Sequence, residues 1–443
     1  MTTPSPLTPQ PIPGSALVTM RATRRSLLRG AGIAGLALSS SSLLAACGGD
    51  SGEGSGGGSL KVGLNEAAGS GPAYDREKAI VDAYIKKSGT KVAINAVDHN
   101  TFQEQANSYL QGNPDDVFTW FAGFRMDQFA QSGLIRDVSD AWPIDGLNDS
   151  FKAAATASDG KQYFVPREYY PWAVFYNKKV WDQKGYAPPA TFDEFKTLMS
   201  QMKKDGITPW AFGDKDGWPA MGTFDILNMR INGFDFHMNL MKGEEAWDSK
   251  EVKNVFDTWA GLLEFNQPDP LGRTWQEAAT SMGKGECGMY LLGTFVIDAV
   301  PDQVNDIDMF NFPELDSAIG AGAIDAPIDG WCVSAATKNA DGALDMMKWL
   351  GTTEAADAMN STKVPAIAAN ENAATDNYSA LQKKSVDLVG SAENIAQFMD
   401  RDTRADFAST VMIPAIQTFL KDPKDIDGVC KSIQEQKVSI FGS

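Results

Sequence analysis

Two periodicities take turns along the chain beyond residue 59. Lys61-Val62-Gly63-Leu64 sets apolar side chains at every second position, the repeat of a strand, and residues 74–87 follow with Ala79, Ile80, Ala83 and Tyr84 at helical spacing. The pattern recurs with a strand over 91–97 and a helix over 102–111, then a strand over 116–121 and a helix over 126–132 closed by Gly133. Such alternation predicts an α/β fold whose sheet is mostly parallel, with helices on its faces. Ligands on these sheets sit beyond the carboxyl ends of the strands, which points to loops 65–71, 98–101 and 121–125. A second α/β region begins near Tyr169: 173–176 reads as a strand, and Thr191-Phe192-Asp193-Glu194 has the capping-box pattern of a helix start. Helical stretches recur over 251–265, 342–350 and 404–420. No internal repeat interrupts this order.

The leading segment changes the picture from fold to destination. Thr23-Arg24-Arg25-Ser26-Leu27-Leu28-Arg29 heads an uncharged apolar run over 30–46, rich in Gly, Ala and Ser, which is the layout of an export signal with paired arginines. The run is too short and too weakly apolar for a membrane span of about 20 residues. Leu44-Ala45-Ala46-Cys47 resembles the lipobox of bacterial lipoproteins, in which the Cys becomes the first mature residue and carries the lipid. The expected division is a twin-arginine lipoprotein signal over 1–46, then lipidated Cys47 and a flexible Gly/Ser leash over 47–59.

Charge and cysteine usage narrow the partners. Of 39 basic residues, Arg21, Arg24, Arg25 and Arg29 lie in the leading segment together with none of the 57 acids, leaving 35 against 57, a formal charge of −22. That balance argues against nucleic acid and against an anionic membrane surface, so contact with a membrane is expected only through the anchor. With Cys47 lipidated, Cys287, Cys332 and Cys430 allow at most one disulfide within the chain, and no CxxC pair suggests a structural metal site.

Catalytic motifs are absent. Gly30-Ala31-Gly32-Ile33-Ala34-Gly35 matches GxGxxG but falls inside the export signal, and there is no GxxxxGK[ST], HExxH or GxSxG. With His99 and His237 the only histidines, triads and histidine metal clusters lack material. Tyr169-Tyr170 has a parallel in ferric-ion binding proteins, yet no acid or histidine pattern completes a metal shell. What remains is aromatic residues beside polar ones in loops and at strand ends, Trp218 and Trp331 foremost. Sugars need that pairing: an aromatic face covers the C–H face of a pyranose while fixed carboxylates, amides and arginines bind its hydroxyls.

These residues lead to a family. The chain resembles the family 1 extracellular solute-binding proteins of ABC transporters, the branch that includes maltose-binding protein. The resemblance rests on Asn113-Pro114-Asp115-Asp116-Val117-Phe118, Phe129-Ala130-Gln131-Ser132-Gly133-Leu134-Ile135, Gly160-Lys161-Gln162-Tyr163-Phe164-Val165-Pro166, Phe175-Tyr176-Asn177-Lys178, Pro189-Ala190-Thr191-Phe192-Asp193-Glu194-Phe195 and Met282-Gly283-Lys284-Gly285-Glu286-Cys287-Gly288-Met289, in that order. It implies a two-lobe periplasmic-binding-protein-like fold of type II, each lobe a mostly parallel sheet flanked by helices and joined to the other by hinge strands. The first lobe would be 60–168 plus 333–363 and the second 169–332 plus 364–443.

The same resemblance implies a ligand held in the interlobe cleft. Glu66 matches a polar position of the first loop, Asn100 lies in the second, and Phe121 and Arg125 follow the third strand. Tyr170 and Trp172 flank the first hinge crossing, and Trp218 and Trp275 are loop aromatics. Phe295 stands where the family usually has Trp, Asp329 and Trp331 replace a common Gly-Gly, and Arg404 precedes a wall-forming helix. The expected protein is a monomeric, lipid-anchored receptor on the outer face of the cytoplasmic membrane. It captures a sugar or short oligosaccharide and hands it to ABC permease subunits, without cofactor, metal or catalysis. The alternatives are a binding protein for a polyol phosphodiester, polyamine or ferric ion, and an exported glycan-processing enzyme.

Overall fold

The computed structural model describes residues 59–442, so the export segment, Cys47 and nearly all of the leash lie outside the described residues. Its strands are β1 (Leu60–Leu64), β2 (Val92–Ala96), β3 (Val117–Phe121), β4 (Val165–Tyr169), β5 (Trp172–Asn177), β6 (Thr208–Trp210), β7 (Cys287–Gly293), β8 (Ile307–Phe310), β9 (Ala323–Asp325), β10 (Ile328–Val333) and β11 (Asn394–Ala396). They form one sheet of order β2-β1-β3-β10-β4, another of order β6-β7-β5-β8, and a separate β9–β11 pair.

Parallel pairing holds where the sequence showed alternation. β1 runs parallel to both β2 and β3, with helices Pro72–Ser88 and His99–Gln111 as the connections that parallel strands require. Each large sheet is mostly parallel, as expected, with a single strand set against the others. β10 lies antiparallel to β3 and β4, and β5 is antiparallel to β7 and β8, while β6 and β7 are parallel. These strands do not follow a crossover helix on their own sheet. β10 arrives from the β9 region and enters the first sheet from the opposite end.

Helices cover both faces of the first sheet. Leu60, Val62 and Leu64 of β1 pack with Ile80, Val81, Met346 and Met347, whereas Phe118 and Trp120 of β3 pack on the other face with Phe102, Ala106 and Phe129. β3 is buried at every position, which explains its unbroken run of apolar and aromatic residues. A larger core surrounds the second sheet, from Phe175 and Leu291 out to Phe224, Trp247, Trp259 and Phe419. The capping box at Thr191 forms as predicted, opening helix Phe192–Lys204. The predicted helix over 404–420 forms over 405–421, as Ala405–Phe407, a π turn over Ala408–Met412 and Ile413–Lys421 in unbroken succession. Pro414 lacks the N–H that a continuous α-helix would use there, and the wider turn absorbs the gap. No helix among the described residues is long and apolar enough to cross a membrane.

The chain passes between the two large sheets at prolines. Tyr170-Pro171 joins β4 to β5, and Ala326-Pro327 leads from β9 to β10. At Pro365, Val364 packs in the core of the second sheet while Ala366, Ala368 and Ala373 pack in that of the first. Proline fixes φ and removes one donor at each crossing, and the neighbouring residues tie the crossings together: Tyr169 N–H donates to the Ile367 carbonyl at 3.1 Å and Tyr170 N–H to that of Pro327 at 3.2 Å. Cys287, Cys332 and Cys430 are free thiols, all buried. Burial pushes the Cys287 and Cys430 thiols up to about 12.

Candidate functional site

A cavity of about 260 Å³ opens where the two sheets face each other. The carboxyl-end loops of the first sheet supply Asn65, Glu66, Asp98, His99, Asn100 and Phe121, and the second sheet and its helices supply Trp172, Trp218, Trp275 and Phe295. Arg167–Tyr170, Asp329 and Pro365–Ile367, from the crossings, form part of its lining. The sheet edge sets this arrangement: residues at strand ends carry side chains past the hydrogen-bonded ladder into the gap.

One wall is aromatic. Phe295 meets Tyr170 at 5.2 Å, Trp275 at 5.1 Å and Trp218 at 5.9 Å between ring centroids, the first two nearly edge to face. Trp172 stacks on Phe398 at 4.8 Å with 27° between planes. Edge-to-face pairing locks these rings against one another, and all of them line the cavity. Phe398 holds φ at +138°, a region that favours glycine. Asp402 Oδ2 accepts from the N–H groups of Gln397 and Phe398 at 2.7 and 3.1 Å, and Asp225 accepts from that of Met399 at 2.7 Å, so buried acids pin this turn.

The rest of the lining is charged. Arg401 donates to Asp329 and to the Tyr170 hydroxyl, each at 2.8 Å, with its guanidinium 4.2 Å over the Phe121 ring. Arg76 forms a two-pronged pair with Asp298 at 2.9 and 2.8 Å and donates to the Val364 carbonyl at 3.2 Å, tying helix Pro72–Ser88 to the short 3-10 helix Thr294–Ala299. Arg167 bonds Glu77 at 2.7 Å and also Glu168. Burial would raise the Glu168 carboxyl, but Arg167 and Arg76 outweigh it and hold it below its ordinary value. Burial dominates at Glu77 and pushes it up to about 7 despite Arg167. At Asp329 burial also wins over the Arg401 charge and raises the carboxyl. The acids held by arginine are fixed acceptors with free lone pairs, and the guanidinium edges are fixed donors. Such a site binds hydroxyls as well as an apolar ring face.

The cavity collects Glu66, Asn100, Phe121, Tyr170, Trp172, Trp218, Trp275, Phe295 and Asp329 of the predicted set. Three predicted residues do not line it. Trp331 is fully buried in the core of the first sheet, two residues deeper along β10 than Asp329, with Arg167 5.6 Å over its ring. Arg125 lies behind Phe121 and bonds Gln103 and Asp400 at 2.6 and 3.0 Å, so it props the wall from outside. Arg404 pairs with Asp406 at 2.7 Å on the surface side of its turn. Sequence reasoning missed Arg76, Arg167, Glu168, Asp298, Phe398 and Arg401. Arg401 stands three residues before Arg404 in the same charged stretch, and only the phase of the turn separates them.

The family described as bacterial extracellular solute-binding protein matches residues 68–357. An uncharacterized ABC transporter extracellular-binding protein of Pyrococcus horikoshii is 26% identical over 331 residues, 72% of this chain and 70% of the relative. The diacetylchitobiose binding protein DasA of Streptomyces coelicolor is 32% identical over 183 residues, covering 39% of this chain and 41% of that protein. Among solved structures, the bacterial solute receptor AcbH, with an exclusive preference for β-D-galactopyranose, is similar at a TM-score of 0.84 and 39% identity, over 87% of this chain and all (100%) of its own. A chitin oligosaccharide binding protein shares the fold at a TM-score of 0.75 and 20% identity, over 86% of this chain and 99% of its own.

Proposed function

The chain belongs to the bacterial extracellular solute-binding proteins, a family of binding proteins and not of enzymes, and on that premise we propose that it captures a sugar of monosaccharide size and delivers it to an ABC permease. The observation that carries this reading is the cavity itself: the Trp218–Trp275–Phe295 cluster and arginine-held carboxylates line the same space of about 260 Å³. That volume lies below the roughly 300–1,000 Å³ of pockets for drug-sized ligands, which favours one pyranose ring over a chain of them. The galactopyranose preference of AcbH, 39% identical, supports the same size. In this reading each large sheet centres one lobe and ligand contacts from both favour closure; the expected boundaries at 333 and 364 shift, because all of β10 lies in the first sheet and Ala366, Ala368 and Ala373 pack in its core. Cys47 carries a lipid after export through the paired-arginine signal, and the protein works as a monomer on the outer face of the membrane.

Thermal unfolding of the mature protein against hexopyranoses, disaccharides, polyols and glycerophosphodiesters tests the ligand class. A hexopyranose at 100 times its Kd should stabilise the protein by about 2.7 kcal/mol and be recovered unchanged. A response to the phosphodiesters alone, or release of a new product, would refute the proposal. The anchor has its own check: Cys47→Ser should move the protein from the membrane fraction to the soluble one.

A further inference from the structure

Behind the β9–β11 pair lies a cluster that ligand capture does not use. Asp225 of helix Pro219–Asn232, His237 of helix Phe234–Met241 and Asp325 at the end of β9 are each 0% exposed. One donor atom from each lies within 4.8 Å of the other two, the one such grouping among the described residues. None of the three lines the sugar cavity.

The donors face inward without partners. Both oxygens of Asp325, Oδ1 of Asp225 and Nε2 of His237 make no hydrogen bond within the protein. The remaining atoms are spoken for: Asp225 Oδ2 accepts from the Met399 N–H at 2.7 Å, and His237 Nδ1 faces the Asn228 carboxamide at 3.1 Å. Arg230 is close enough to act on Asp325, yet its hydrogen bonds go to the Phe312 and Ala323 carbonyls and Asn311 Oδ1 and none to Asp325. Asp325 acts on Asp225, Asp402 acts on both, and Arg230 is the cation that acts on Asp325. Two carboxylates buried together need a counter-charge or a proton, and four unpartnered donor atoms converge where a cation could satisfy them.

We infer that Asp225, Asp325 and His237 bind a divalent transition-metal ion of the zinc type, as a structural site separate from the sugar cavity. An imidazole between two carboxylates suits a borderline ion better than Ca²⁺ or Mg²⁺, which prefer oxygen alone. Bonds of about 2.1 Å in a tetrahedral shell set ligand atoms about 3.4 Å apart, so side-chain rotation must close the cluster by about 1.4 Å at most. Ligation through Nε2 puts the ring proton on Nδ1. Asn228 then turns its carbonyl oxygen to that proton and releases Asn232, which keeps its bond to the Glu251 carbonyl at 3.2 Å. The ion would join two helices and β9 beneath the turn over Phe398–Arg401, held there through Asp225 and Met399.

The test uses untagged mature protein and no sugar. After chelator stripping and titration with Zn²⁺ or Co²⁺, one equivalent per chain should survive desalting and raise Tm. The Co²⁺ form should show visible absorption and one paramagnetically shifted imidazole N–H resonance. Only two histidines exist, so His99→Gln assigns the signal. Retention of the equivalent and the shifted resonance in H99Q, with loss in His237→Gln, supports the site. Loss in H99Q moves the metal to the cavity mouth beside Glu66 and overturns it. Wild-type protein that retains no metal and shows no Tm change also overturns it, since the acids are then neutralised by protons or enclosed water. The wild-type and H99Q measurements decide the matter even where H237Q fails to fold.

Discussion

Gly222 sits in helix Pro219–Asn232 against the face of Trp172, and replacing it with Ala tests how the aromatic wall is held. A Cβ at Gly222 would lie 2.2, 2.5 and 2.7 Å from Cζ3, Cε3 and Cη2 of the Trp172 indole. Ordinary contact begins at 3.4 Å, so the ring must withdraw by about 1.2 Å. It cannot do so freely, because Phe398 stacks on it and Phe295 meets it edge-on. Helix propensity alone would make G222A more stable by about 1 kcal/mol. Overpacking opposes this with about 1–3 kcal/mol, so the variant should come out neutral to 2 kcal/mol less stable, by roughly that balance. Sugar affinity should fall about tenfold, since the displaced rings line the cavity. Trp172→Phe removes the three clashing atoms, so the double variant should be less damaged than the sum of the two, by about 1–2 kcal/mol. Urea unfolding and calorimetric titration of the four proteins measure both effects. A stabilised G222A, or additivity within about 0.5 kcal/mol, would refute the reasoning.

Trp331→Ala should cost about 3–5 kcal/mol in urea unfolding while leaving sugar affinity near wild type where the protein folds, because the indole fills a core and not the cavity. Arg401→Lys should lower affinity by about 10–100-fold in titration calorimetry, since an ammonium lacks the planar fork that meets Asp329 and Tyr170 through two nitrogens and loses its plane over Phe121. Asp214 is fully buried with Oδ2 unpartnered, and burial raises its carboxyl from 3.8 to about 7. A raised acid favours the folded state while protonated, so stability from this group is present at low pH and lost as pH climbs from 3.8 to 7. Between pH 5 and 8 wild type should lose up to about 3 kcal/mol that Asp214→Asn does not lose, read from urea midpoints across that range.

Local chemistry was readable along the chain wherever one element decides its own form. The capping box at Thr191, the strands over 60–64, 92–96 and 117–121 and the helices that follow them emerge from periodicity and caps. The direction of β10 was not readable, because it depends on which sheet the chain has just left. The π turn at 408–412 follows from Pro414, a residue visible in the sequence but inside an otherwise helical pattern. In the site, aromatic residues in loops were found because few other roles suit an exposed ring. The arginines were missed for the opposite reason: Arg76 on a helix and Arg167 on a strand look like solvated surface until an acid from a distant segment meets each of them. Trp331 failed because Gly and Asp beside it read as loop, whereas the bulge at Asp329/Gly330 lets the strand continue.

The placement of β10 also bears on the order in which the chain can fold during synthesis. β3 and β4 are separated by fewer than fifty residues but do not pair; the strand between them is supplied by residues 328–333. A ribosome that has made both β3 and β4 has therefore made a sheet with a gap, its two inner edges open to any passing strand. The gap closes only after the β5–β9 region has emerged as well. Such long-range closure is slow and exposes unpaired edges on the way, so the first sheet should depend on holding factors until three quarters of the chain is available. A truncation just short of residue 328 should accumulate as an aggregate, and one ending after residue 333 should recover part of its solubility.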